Sequence, residues 1–105
     1  MRLFVSRPAR ADLDAIFDWI AFDNRPAATA TLRAIETVAY RLATFPGLGR
    51  AGTLDNTREA VVPSLPYVIV YAVDDALERV TILAVLHGAR DFPGAVAGRN
   101  AEAKE

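Results

Sequence analysis

The apolar positions along the chain change period near its middle. In the first half, Ala9, Leu13, Ile16, Phe17 and Ile20 recur at spacings of 4, 3, 1 and 3, the signature of one buried helix face. Ala28, Leu32, Ile35, Ala39 and Leu42 follow at 4, 3, 4 and 3, which predicts a second amphipathic helix. Each run opens in the same way. Ser6 precedes Arg7-Pro8 and Asn24 precedes Arg25-Pro26, giving an N-cap followed by a proline in the first turn, where its missing N–H costs nothing. Phe45 before Pro46 closes the second helix, because proline disfavours helical geometry in the residue ahead of it. Two such helices joined by a few residues are expected to lie antiparallel.

Beyond the Pro/Gly stretch "FPGLGRAG" the helical period gives way to β-branched and aromatic runs, "REAVV", "YVIVYAV" and "VTILAVL". These predict three strands, with the Asp74-Asp75 pair turning between the last two, which should therefore pair antiparallel. A further short strand is expected at the N-terminus, over Leu3, Phe4 and Val5, at or near a sheet edge. In the "YVIVYAV" strand, Tyr67, Ile69, Tyr71 and Val73 share one face, and Val68, Val70 and Ala72 the other. Both faces are apolar, so this strand is expected to be central and covered on both sides. The order is β-α-α-β-β-β: an α+β fold with a helical hairpin packed on an antiparallel sheet. Residues 1–93 form one domain in this reading, and residues 94–105, small and polar, form a flexible tail.

Composition narrows the chemistry. The chain has 105 residues, 52% apolar and 24% charged, which fits one globular domain. It has no cysteine and one histidine, His87, so neither a disulfide nor a metal site within one subunit is expected. No cofactor is implied. No apolar run suits a membrane span and no signal-peptide pattern opens the chain, so a cytoplasmic location without membrane association is expected. Formal net charge is −1. Eleven arginines and one lysine are scattered rather than clustered, so direct nucleic-acid binding is not favoured.

Several residues invite chemical readings. His87 ends an apolar run before Gly88, a position that more often serves a turn than catalysis. Trp19 on the first helix reads first as hairpin packing and second as a binding anchor. Asp12, Asp14 and Asp18 read as a solvated helix face rather than a metal site. The glycines of "GLGRAG" follow a helix instead of leading into one, so they read as a turn and not as a phosphate loop.

Four segments taken together, "ARADLDAIFDWIAFDNRPAA", "LATFPGLGRAG", "TREAVVPSLPYVIVYAV" and "ILAVLHGARDFP", resemble the RelE/ParE superfamily of toxins from bacterial type II toxin–antitoxin modules. The resemblance runs from residue 1 to about residue 93. It implies a helical hairpin on a curved antiparallel sheet, and a cognate antitoxin protein that covers an apolar groove. It also implies one of two targets: RelE-like members cut mRNA on the ribosome, whereas ParE-like members poison DNA gyrase. Many nuclease members carry an arginine in a "Y-R-L-V-Y" strand, basic residues on the preceding strand, and a Tyr or His near the C-terminus. Here Val68 occupies the arginine position, Arg58 is the lone basic residue of the preceding strand, and the aromatic after Arg90 is Phe92. A ParE-like gyrase inhibitor, not itself an enzyme, is therefore expected, connected with growth arrest and plasmid stabilisation. The alternative is a ribosome-dependent endoribonuclease using Arg58, His87 and Arg90. A degenerate toxin that retains only antitoxin binding and autoregulation is a third reading. For target or antitoxin contact the candidates are Trp19, Arg58, Tyr67, Tyr71 and Arg90.

Overall fold

A computed structural model describes residues 1–88. The elements are β1 (Arg2–Val5), α1 (Arg7–Ala21), α2 (Arg25–Thr44), β2 (Arg50–Ala51), β3 (Arg58–Val61), β4 (Tyr67–Asp74) and β5 (Arg79–His87). Both helix starts form as their sequences predict. Ser6 Oγ accepts from the Ala9 N–H and Asn24 Oδ1 from the Ala27 N–H, with a proline in each first turn. A cap of this kind is worth about 1 kcal/mol. Phe45 caps the C-terminal end of α2, its N–H reaching the Arg41 carbonyl.

The strands form one five-stranded sheet in the order β1-β5-β4-β3-β2, with the helical hairpin on one face. β3, β4 and β5 form an antiparallel meander. Two features depart from the wholly antiparallel six-element order that the sequence predicts. β1 is an edge strand, but it runs parallel to β5, with Arg2 opposite Arg79 and Val5 opposite Ile82. Parallel neighbours need a long crossover, and here the helical hairpin and the β3–β4 ribbon together supply it. The second feature is β2, two residues of the Pro/Gly stretch that pair with Arg58 and Glu59 of β3.

The larger core lies between sheet and helices and joins Ile35, Leu42, Ile69, Tyr71, Val80 and Ile82, among others. A smaller cluster of Val70, Ala84 and Leu86 lies on the opposite face, with Leu54 packed against it. β4 is thus central and buried on both faces, as its double apolar pattern requires.

β5 carries an irregularity that decides which residues face the helices. Val70 pairs with Ala84 but Tyr71 pairs with Ile82, so Leu83 is an extra residue, a β-bulge. Strict alternation would send Val80 and Ile82 toward the helices and Val85 and His87 away. The bulge resets the phase, and Val85 joins Val80 and Ile82 in the helix-side core. The start of α1 satisfies the disturbed backbone. Ser6 N–H donates to the Ile82 carbonyl at 3.0 Å, Ser6 Oγ–H to the Leu83 carbonyl at 3.3 Å, and the Val85 N–H to Asp12 Oδ2 at 3.0 Å.

Candidate functional site

Two separate constellations contain the described residues that sequence reasoning singles out. The first is built on the loop after α2. Tyr71, fully buried on β4, donates its hydroxyl proton to the Pro46 carbonyl at 2.7 Å and accepts from the Gly49 N–H at 2.8 Å. Arg58, opposite Tyr71 on β3, donates through one guanidinium nitrogen to the Gly47 carbonyl at 3.1 Å and to the Gly49 carbonyl. Its Nε is buried without an acceptor. Gly49 is required by proximity, because a Cβ there would lie 2.6 Å from the Glu59 carbonyl oxygen and 2.7 Å from the Tyr71 hydroxyl. The "GLGRAG" segment is therefore a turn over residues 47–49, clamped onto the sheet, that leads into the short strand β2.

Next to this clamp, Glu59 is buried at 6% exposure. It accepts from Arg50 at 3.2 Å and from both the Thr53 N–H and hydroxyl at 3.1 Å. Burial pushes the Glu59 carboxyl upward, but the Thr53 N–H, the Arg50 guanidinium and the Thr53 hydroxyl together outweigh it and hold the group below its ordinary value. The pair across β2 and β3 is thus a structural ion pair. From the sequence alone, Arg58 and Glu59 read as a solvated strand face or a cross-strand charge pair; Glu59 forms such a pair, with Arg50 opposite it on β2.

The second constellation is a groove of about 350 Å³ between α1 and the ends of β4 and β5, lined by Asp12, Ile16, Trp19, Tyr67, Val85 and His87 among others. Tyr67 pairs with His87 across the two strands, and their rings meet edge to face with centroids 6.1 Å apart. The bulge at Leu83 places His87 on this side of the sheet. Trp19 is 81% exposed, so the hairpin-packing reading of this residue does not hold. Its position is on the flank of the Leu13–Ile16–Ile20 face rather than on it. Asp12 is also more than a solvated carboxylate, since it takes the Val85 N–H of the bulge.

The structure thus brings Trp19, Tyr67 and His87 to one groove and holds Tyr71 and Arg58 at another place. The pairing positions of His87 and Arg58, Tyr67 and Tyr71, are four positions apart along β4, and His87 and Arg58 lie on opposite neighbours of β4. At ~3.3 Å per residue and ~4.8 Å per strand, their Cα atoms are roughly 16 Å apart. Arg90, Phe92 and the tail from 94 to 105 lie outside the described residues. Among the described residues no group of three His, Asp or Glu side chains could hold a metal ion. No helix among them is long and apolar enough to cross a membrane.

Comparison with known proteins places the chain. Residues 3–92 match the family model described as the ParE toxin of type II toxin–antitoxin systems, parDE. The chain belongs to the ParE toxin family. Over 82 residues it is 42% identical to Toxin RelE2 of Caulobacter vibrioides, covering 78% of this chain and 89% of that toxin. The fold of this ParE-family chain is shared with a chain of the chromosomal ParDE system of P. aeruginosa, at a TM-score of 0.73 and 24% identity, covering 83% of this chain and 95% of that one. It is shared also with a chain of the RelBE2 toxin–antitoxin complex of Mycobacterium tuberculosis, at a TM-score of 0.63 and 23% identity, covering 82% and 95%. The α+β architecture of the ParE and RelE toxins is therefore the architecture of this chain.

Proposed function

We propose that this ParE-family toxin inhibits DNA gyrase, and so replication, and that a cognate antitoxin protein neutralises it. The observation that carries the reading is the engagement of Arg58. Cleavage of a phosphodiester needs a cation at the developing charge and a proton-transfer group within hydrogen-bond reach of the same atoms. Arg58 is tied to the Gly47 and Gly49 carbonyls, roughly 16 Å in backbone terms from His87. Val68, at the position where the nuclease resemblance would have arginine, is buried at 6% exposure. These placements favour a toxin that acts by binding. A gyrase inhibitor needs a shape-matched surface with a few large anchors, and the groove with Trp19 at its rim supplies one. The antitoxin reading is supported by the two structural relatives, whose names are those of toxin–antitoxin systems.

Induced expression in a bacterium separates the targets. Gyrase-linked DNA cleavage with filamentation, and intact mRNA, is the expected outcome, and His87→Ala is expected to remain toxic. Rapid ribosome-dependent mRNA loss, abolished by His87→Ala in a protein that still folds, would instead establish the nuclease.

A further inference from the structure

Two arginines that stand far apart in the sequence meet at one corner of the sheet. Arg2 and Arg79 are register partners in the parallel β1–β5 ladder, and Phe4 and Thr81 form the next pair on the same face. Ala72 lies opposite Thr81 on β4. This is the face away from the helices, because the alternate residues Leu3, Val5, Val80 and Ile82 pack in the helix-side core. Both guanidinium groups lean over the Phe4 ring. Arg2 Cζ is 5.5 Å and Arg79 Cζ 5.4 Å from its centroid. Arg2 and Arg79 occupy one row of the sheet, so they reach the ring from the same side.

Like charges directly opposite one another on a sheet face repel, and nothing among the described residues offsets this pair. Asp74 faces Arg79 in register, yet its carboxylate accepts from the Leu77 N–H at 3.0 Å in the β4–β5 turn. Glu78 meets Arg2 through its backbone, its carbonyl accepting the Arg2 N–H. The one salt bridge among the described residues is Arg50–Glu59, so no carboxylate there pairs with either arginine. Arg79 is half-buried and its Nε is buried without an acceptor, which leaves its terminal nitrogens as the donors open to solvent. A cation partly withdrawn from water attracts a counter-charge more strongly than an exposed one. Thr81, half-buried in the row of the ring, adds a hydroxyl, and the small Ala72 side chain next to it leaves room above the row.

We propose that Arg2, Arg79 and Thr81, gathered around the Phe4 ring, bind the phosphoryl group of a phosphorylated ligand. The shape of the charge selects this class. A carboxylate has one charge and two oxygens, which a single guanidinium fork satisfies. Two adjacent forks match a phosphoryl group, whose outer oxygens accept from both. The site is separate from the two constellations described above: it lies at the start of β5, whereas His87 ends that strand, and it faces away from the helices, whereas Arg58 pairs with the helix-side Tyr71. Two sources present the group, the backbone of a nucleic acid strand and a free phosphorylated small molecule. A net charge of −1 gives no broad attraction to nucleic acid, so contact with a strand is confined to these two cations. The proposal does not depend on which target the toxin has.

The test titrates the whole protein with sodium pyrophosphate and, separately, with a single-stranded DNA of about eight nucleotides, within the usual site size of single-strand binders. Magnetic resonance follows the Phe4 ring and the Thr81 amide. Saturable shifts of both signals are expected with at least one probe. The Arg2→Gln/Arg79→Gln variant, checked for unchanged circular dichroism, should bind that probe about tenfold or more weakly. Arg79→Lys, which keeps the charge and loses the fork, should fall between the two. If the double variant does not fold, Arg2→Gln alone, at an exposed position, should still show a severalfold loss. Saturation by pyrophosphate with no response to the oligonucleotide supports the site and identifies a small-molecule source. Oligonucleotide binding whose log K falls against log salt with a slope of about −1.4, as for two contacts on a single strand, supports the site and identifies a nucleic acid backbone. No saturable shift with either probe, equal binding by the folded variants, or tighter binding of a glutamate-rich peptide overturns the proposal.

Discussion

The Tyr71 hydroxyl joins backbone groups 22 and 25 positions away in sequence, and it does so from a fully buried ring. Removing it leaves the Gly49 N–H and the Pro46 carbonyl without their partner, and an unsatisfied buried group costs about 1–3 kcal/mol. Tyr71→Phe is therefore expected to lower unfolding free energy by about that amount in urea titration. A change indistinguishable from zero would mean that the loop after α2 does not depend on the clamp. Tyr71 was legible in the sequence as a core or groove residue from its place on a doubly apolar strand. Its hydroxyl partners were not, because they lie in a Pro/Gly segment whose path depends on β2 docking against β3. Arg58 teaches a similar lesson. Its residue type suggests phosphate chemistry, but its guanidinium lies where two carbonyls of the same loop accept its protons.

At the scale of elements, β5 and α1 depend on one another. The helix starts at Ser6, and the same residue satisfies two carbonyls of the bulged strand. Nearly two turns farther on, Asp12 takes the Val85 N–H. Asp12→Ala should destabilise the fold by about 1–3 kcal/mol, as expected for loss of a charged acceptor from a backbone donor. Asp12→Asn, which keeps an oxygen acceptor, should recover part of that loss in the same denaturation experiment. Faster exchange of the Val85 amide in Asp12→Ala is the local readout, and an unchanged rate would exclude the linkage. Neither the bulge nor its support is visible in "VTILAVL", where every position is apolar or β-branched. Such a run shows no alternation whose phase could be seen to slip. The helix hairpin was the opposite case, since caps, prolines and period all pointed to the same boundaries.

For the whole molecule, the buried Glu59 carboxylate, paired with the exposed Arg50, links stability to pH. The folded-state pKa of Glu59 is depressed, so its contribution is present above the unfolded value, ordinarily 4.5, and is lost as pH falls through the folded value. The stability advantage of the unaltered protein over Glu59→Gln should hold steady from about pH 7 to about pH 5 and shrink below that. Urea midpoints measured for both proteins across this range provide the check. An advantage that grew on acidification would contradict the direction of the shift.

The amino-acid sequence by itself determined the two helices and their ends, the three principal strands, the central place of β4 and the family resemblance. These follow from local periodicity, capping chemistry and the order of segments, all of which act within a few residues. Tertiary structure alone decided that β1 runs parallel to β5, that a bulge turns His87 toward α1, and that Trp19 stands in solvent. It also drew Arg58 into a loop clamp and kept it far from His87. Those outcomes depend on register and on partners distant in the chain, and a register shift of one residue moves a side chain to the opposite face of the sheet.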